Sequence, residues 1–272
     1  MWGDYLFHYT SAPAIAGIIS TRKIWATDSQ YLNDGLEGRL LEARLINMVS
    51  APNVHFGKEF PEKHLEALRL HLRRGRLYHV ASFSKRPDML TQFRMYCPAA
   101  GGFVIGFPRE YLSRVGRLVD VEYDRTHHDS WCGQFFMKFM EAADKADNAS
   151  KTAAEVEYDI AASGNWVDVR CDAAIECKSN EFASEEEVRL LHTGARATHV
   201  RPSRQGNLFV PYVELELPNE ALLVQVAAGP GRFRELAHAS IPNLLKVAEC
   251  AGTKWQFGQL GIREFGYRDF GE

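Results

Sequence analysis

Strand-type segments recur from one end of this chain almost to the other, with helical patterns between them. Aromatic and β-branched runs stand at 4–10 (DYLFHYT), 23–27 (KIWAT), 77–83 (LYHVASF), 102–107 (GFVIGF) and 117–123 (RLVDVEY). They return at 173–179 (AAIECKS), 187–192 (EVRLLH), 207–215 (NLFVPYVEL) and 221–227 (ALLVQVA). Helical periodicity fills the gaps: Ile15, Ile18 and Ile19 share a face after a Thr10 or Ser11 cap, and Leu36, Leu40, Leu41, Leu45 and Ile46 form a stripe over 34–49. Further helices are expected at 60–74, 88–96 and 231–250. From 131 to 163 the pattern is long, helical and rich in Ala, Asp, Glu and Lys. A chain of this kind has to place strands from both halves in one sheet. The expectation is an α+β fold with a central mixed or antiparallel sheet and flanking helices, a single domain over 1–272 with a helical insertion at 131–163.

Composition narrows the function. With 32 Lys and Arg against 35 Asp and Glu, the formal net charge of −3 excludes a nucleic-acid binder that works by bulk positive charge. The 46% hydrophobic content suits a globular core. The five cysteines, Cys97, Cys132, Cys171, Cys177 and Cys250, are odd in number and widely spaced, as reduced thiols are. Neither a basic leader nor a run of 18 apolar residues is present, which points to a cytoplasmic protein without a membrane partner. Phosphate-binding glycine loops, the dinucleotide fingerprint, the zinc-protease motif, the nucleophile elbow and zinc-type Cys/His spacing are all missing. Gly229-Pro230-Gly231 reads as a strand-to-helix turn or as a seat for an anion, and His127-His128 as a surface turn.

Three constellations carry chemistry. Strand alternation sends His8 and Thr10 to one face and Tyr9 to the other. Asn33-Asp34 with Glu37 reads as a helix cap with an acidic first turn. In Glu185-Glu186-Glu187-Val188-Arg189, a period of two puts Glu185, Glu187 and Arg189 on one face, either as a solvated edge or as carboxylates steadying an oxocarbenium-like transition state. No metal site is expected in the leading reading. A rival reading gathers Asp34, Glu37, Glu185 and Glu187 around a divalent cation in a nuclease or phosphate hydrolase. Another makes the E-x-E-x-R edge the contact of a sensor or protein-interaction module. Arg73-Arg74-Gly75-Arg76 and Arg201-Pro202-Ser203-Arg204 are local basic clusters able to touch phosphates.

The order of LFHYTS at 6–11, LNDGLEGR at 32–39, SFSKRPDMLTQFRMYC at 82–97 and KSNEFASEEEVRLL at 178–191 resembles a bacterial family, domain of unknown function 2971. Phe93 and Tyr96 stand where that family tends to show Trp and Tyr; Phe182 and Ser184 replace its aromatics ahead of E-x-E-x-R. More distantly, H-x-T ending the first strand and a glutamate opening a later one are similar to ADP-ribosyltransferases. That resemblance implies an ADP-ribosyltransferase-like core that consumes NAD and modifies a nucleic-acid or protein acceptor, in a toxin or antiphage setting with an antitoxin or defence-system partner. It gives His8 a ribose hydroxyl, Thr10 the nicotinamide amide, and Tyr9, Tyr31 or Tyr96 the nicotinamide ring. Asn33 joins the cofactor-binding set. Glu187 is the catalytic carboxylate, Glu185 orients the acceptor or acts as base, and Arg189 pairs with Glu185 or touches a phosphate.

Overall fold

The computed structural model describes residues 4–32, 40–50, 60–73, 78–98, 101–163, 175–193, 197–203 and 207–261. The fold is α+β, with a large mixed sheet of ten strands and helices flanking it. The chain divides into two compact units, one within 1–28, 79–120 and 184–272 and the other within 29–78 and 121–183.

The first unit holds the sheet. Its strands are β1 (Tyr5–Thr10), β2 (Lys23–Asp28), β3 (Tyr78–Ser84), β4 (Phe103–Pro108), β5 (Arg117–Asp120), β6 (Glu187–Thr193), β7 (His199–Pro202), β8 (Phe209–Glu216), β9 (Leu222–Ala228) and β10 (Trp255–Gln259). The order is β10-β9-β4-β1-β3-β2-β8-β7, with β6 on β3 and β5 on β6. β10 runs parallel to β9 after the crossover helix Arg234–Cys250, while the other pairings of known register are antiparallel.

The period-two pattern explains the two layers of packing. Leu6, Ile24, Phe83, Ile105, Val188 and Val226 face one side and build the main core with α1 (Ala12–Thr21). Ser11 caps α1, its side chain accepting from the Ala14 amide, and Ile15, Ile18 and Ile19 are its buried stripe, as the spacing requires. Phe7, Tyr9, Val104 and Ala227 face the other side, where Phe93 of the short helix Leu90–Tyr96 covers them. Both sheet faces are therefore apolar over β1 and β4, which is why these strands read as nearly continuous hydrophobic runs.

The second unit is helical: α2 (Leu40–Ser50), α3 (Glu62–Arg73), α6 (Arg125–Ala146) and α7 (Ala153–Ala162), with α4 (Leu90–Tyr96), α5 (Arg109–Ser113) and α8 (Arg234–Cys250) belonging to the sheet unit. Phe135, Phe136, Phe139 and Met140 repeat at helical spacing on α6 and pack with Leu41, Leu68 and Val156. Thr152 and Glu155 form a reciprocal capping box at the start of α7. His71 and Glu157 are both buried and pair at 3.2 Å.

Several expectations are corrected. Ile46, assigned to the buried stripe of α2, is exposed; Leu36 lies outside the described residues. Residues 175–176 of the expected strand 173–179 are helical, and Cys177 makes only an isolated bridge to Glu122. The strand expected at 117–123 ends at Asp120. His127 and His128 are no surface turn: α6 starts six residues ahead of the expected 131, because Asp124 caps it by accepting from the Thr126 amide at 2.8 Å. His128 is consequently buried, with Nε2 donating to the Glu122 carbonyl at 2.9 Å. Strands β7 and β10 were not anticipated. Among the described residues Cys97, Cys132, Cys177 and Cys250 are free thiols, and no helix is long and apolar enough to cross a membrane.

Candidate functional site

The acidic triplet sits where a 3₁₀ turn, Asn180–Glu185, hands over to β6. Glu186 makes the change of direction with φ 44°, a left-handed conformation that an L-residue with a Cβ adopts at a cost. Simple alternation therefore does not run through the triplet, and Glu185 belongs to the turn rather than the strand. Both of its neighbours in the motif are nonetheless buried with it: Glu185 is 3% exposed, Glu187 5% and Arg189 0%.

Glu187 and Arg189 are two apart on β6 and meet side-on. Arg189 Nε donates to Glu187 Oε1 and Nη2 to Oε2, both at 3.0 Å. Paired donors of this geometry match the two carboxylate oxygens. The solvated-edge expectation is corrected here: β6 is flanked by β3 and β5, so the E-x-E-x-R face lies in the protein. Arg189 pairs with Glu187 at 3.0 Å.

The loop after β3 is tied to this turn. Ser84 Oγ donates to the Glu185 carbonyl at 2.7 Å and accepts from the Arg86 amide at 3.1 Å; the Lys85 amide donates to the Glu186 carbonyl at 3.1 Å. Arg86 bonds Asp88 at 3.2 Å and approaches Glu186 at 3.9 Å, while Lys85 pairs with Asp120 at 2.8 Å. Burial resists ionisation of Asp120, but its hydrogen bonds to Arg109 and Lys85 prevail and hold its carboxyl below the usual range. Tyr9 closes the chain of bonds, its hydroxyl donating to the Arg86 carbonyl at 2.5 Å and accepting from the Met89 amide at 3.1 Å. Ser84, Lys85, Arg86 and Asp88 were missed as site residues. The signal was present as a polar, charged S-K-R-P-D run directly after an apolar strand.

Facing divides the expected set. β1 and β4 pair His8 with Ile105, Thr10 with Phe103 and Tyr9 with Val104. His8 and Thr10 thus share the main-core face with Val188 and Leu190, whereas Tyr9 shares the opposite face with Glu187 and Arg189. Tyr96, partly buried beside Tyr9 and Phe93, belongs to that second face. Tyr31 is exposed in the helical unit, and Asn33, Asp34 and Glu37 lie outside the described residues.

His8 sits next to the point where β1 meets β3, Phe7 opposite Ser84. Its Nδ1 bonds the Ser82 carbonyl at 2.9 Å, and its ring lies 5.6 Å from Phe83. Burial lowers its pKa, partly offset by that hydrogen bond, so the imidazole is neutral with Nδ1–H as donor. Tyr9 is 6% exposed, its ring met edge-on by Phe93 at 4.7 Å, and its hydroxyl is raised above the ordinary phenol range by burial. Gly229 offers no anion seat through its amide, which donates to the Gly102 carbonyl at 2.8 Å. Among the described residues no group of three His, Cys, Asp or Glu side chains could hold a metal ion.

Compared with family models, curated proteins and solved structures, the chain finds no match in any of the three. The class that fold and site define is accordingly a physical one: an α+β protein with a buried carboxylate, Glu185, ending a turn and a second, Glu187, opening the internal strand that follows, bonded by a buried guanidinium.

Proposed function

We propose that this chain is an NAD-consuming transferase of the ADP-ribosyltransferase type, with Glu187 as its catalytic carboxylate. The observation that supports this reading most is the burial of Glu185 and Glu187 around a strained Glu186, with Arg189 fixing Glu187 in one orientation. Fixed acceptors in a site sheltered from water favour a positive charge that develops during reaction. In the proposed step the bond between the nicotinamide nitrogen and ribose C1′ breaks, and its electron pair leaves with nicotinamide. Glu187 accepts from the ribose 2′-hydroxyl and stabilises the cationic sugar. An acceptor oxygen or nitrogen then bonds C1′ and yields its proton to Glu185. His8 and Thr10, on the other face, are positioning residues in this reading: His8 ties β1 to β3 through Ser82. Tyr96 is the aromatic on the appropriate face for the nicotinamide ring.

The test is NAD labelled on its adenylate, incubated with protein alone and with protein, DNA or RNA acceptors, following nicotinamide release and label transfer. The wild type is expected to release nicotinamide, Glu187→Gln to lose about 100-fold or more, and Glu185→Gln to lose transfer to the acceptor more than release. Near-ultraviolet circular dichroism establishes that each variant is folded. Wild-type protein that leaves NAD intact with every acceptor, or folded Glu187→Gln with full activity, overturns the reading.

A further inference from the structure

The second face of β2, β8 and β7 carries a row of rings. Thr27 pairs with Tyr212 and Tyr212 with His199, and Trp25 stands two residues along β2 on the same face. The Tyr212 ring lies 4.5 Å from Trp25 at an interplanar angle of 31°, and 5.3 Å from His199 at 26°. Tyr212 is thereby covered on both sides and buried, while the two end rings remain open, Trp25 at 48% exposure. Thr198 Oγ1, 2.8 Å from His199 Nδ1, fixes the imidazole.

Two residues beyond His199 on the same face is Arg201, about 7 Å further along the strand. It is half-buried, and among the described residues its side chain bonds Thr27 Oγ1 at 3.4 Å. Among the described residues no carboxylate pairs with it. The other cation of this face, Lys23, is already neutralised by Glu214 at 2.7 Å, and Glu216 stands opposite Lys23 at the far end of the row. Burial pulls the Arg201 pKa down, the mark of a charge partly stripped of water. A guanidinium in that condition is completed by an anion, and here the anion must arrive beside a stack of rings.

We infer that this face binds single-stranded nucleic acid, a base extending the ring row at Trp25 or His199 and a neighbouring phosphate pairing with Arg201. Unpaired bases stack on such rings without regard to sequence, whereas duplex bases are already stacked on each other. A net charge of −3 leaves stacking and one phosphate to hold the strand, so the binding has a shallow salt dependence, a slope of about −0.7 in log K against log salt. The inference deepens the NAD reading by naming its acceptor class. It is tested without NAD, so the two can fail separately.

The experiment is fluorescence anisotropy with labelled single strands of RNA and DNA, about twelve nucleotides long and of mixed sequence, against the same strands as duplexes and against a poly-glutamate peptide. Wild type is expected to bind the single strands saturably and in preference to duplex, with quenching of tryptophan emission. Trp25→Ala is expected to weaken binding about 5- to 150-fold, His199→Ala less, and Arg201→Gln several-fold with the remaining salt slope flattened. Among the described residues Trp25, His199 and Arg201 make no ion pair, and melting curves of the variants check their folding. Absence of saturable binding, equal binding of duplex, or folded Trp25→Ala and His199→Ala that both bind like wild type overturns the inference. Tight binding of poly-glutamate that only Arg201→Gln impairs also overturns it and assigns the face to an acidic protein.

Discussion

Arg189 is the largest fully buried side chain of the described residues, and Glu187 meets it side-on through two hydrogen bonds. Breaking such a pair strands a charge in the interior. Arg189→Met alone is expected to destabilise by about 3–5 kcal/mol, and the double change Glu187→Leu with Arg189→Met to cost less than the two single changes added together. Urea denaturation of the single and double variants gives the coupling directly. Two backbone positions are equally local. A Cβ on Gly229 would lie 2.3 Å from Phe93 Cε1, inside the packing that covers Tyr9. Gly229→Ala should cost about 1–3 kcal/mol, with part recovered when Phe93→Leu is added. Glu186, at φ 44°, works the other way. Glu186→Gly should raise stability by up to about 1 kcal/mol by removing the Cβ strain, while giving up only a long contact to Arg86.

Among the elements, capping and pairing decide where each begins. In α7 both halves of the capping box are present, Thr152 and Glu155 satisfying each other's amides at 3.4 and 2.7 Å. Thr152→Ala is expected to lower stability by about 0.5–2 kcal/mol, read as the midpoint of thermal or urea unfolding, and Thr152→Ser to restore most of it. β6 shows how far an element's character depends on its neighbours. Read alone, Glu-Val-Arg-Leu-Leu-His has the alternation of an edge with one wet face. With β3 on one side and β5 on the other, the wet face becomes the interior place where Glu187 and Arg189 pair. At the true edge the four residues of β7 include Arg201 and end in Pro202, two features that discourage pairing with another chain.

For the molecule as a whole, pH is the simplest probe. Burial lowers the pKa of His8, and of His79, where Asp28 partly opposes burial and His192 adds to it. Both bind protons more readily in the unfolded chain, so stability is fully present above the ordinary histidine value of 6.5 and is lost as pH falls below it. Melting temperature is expected to drop between pH 7.5 and 5.5, and His79→Phe to flatten the drop. A fall that His79→Phe leaves unchanged removes His79 from this account. The long periodic segments were legible in the sequence: the isoleucine face of α1, the apolar runs of β1, β3, β4 and β9, and the helical stretches that became α6 and α7. So was the place of the E-x-E-x-R motif at the head of a strand. β7 and β10 were not, because each owes its existence to a partner, β8 across a hairpin and β9 across the α8 crossover, and not to its own pattern. The facing of the candidate residues was half legible. Alternation within β1 separates His8 from Tyr9 on the sequence alone, and alternation within β6 separates Glu187 from Val188. Only the register between strands decides that Tyr9, and not His8, shares a face with Glu187 and Arg189. Periodicity is a property of neighbouring residues on one strand, whereas facing between strands is set by hydrogen bonds that join residues far apart in the chain.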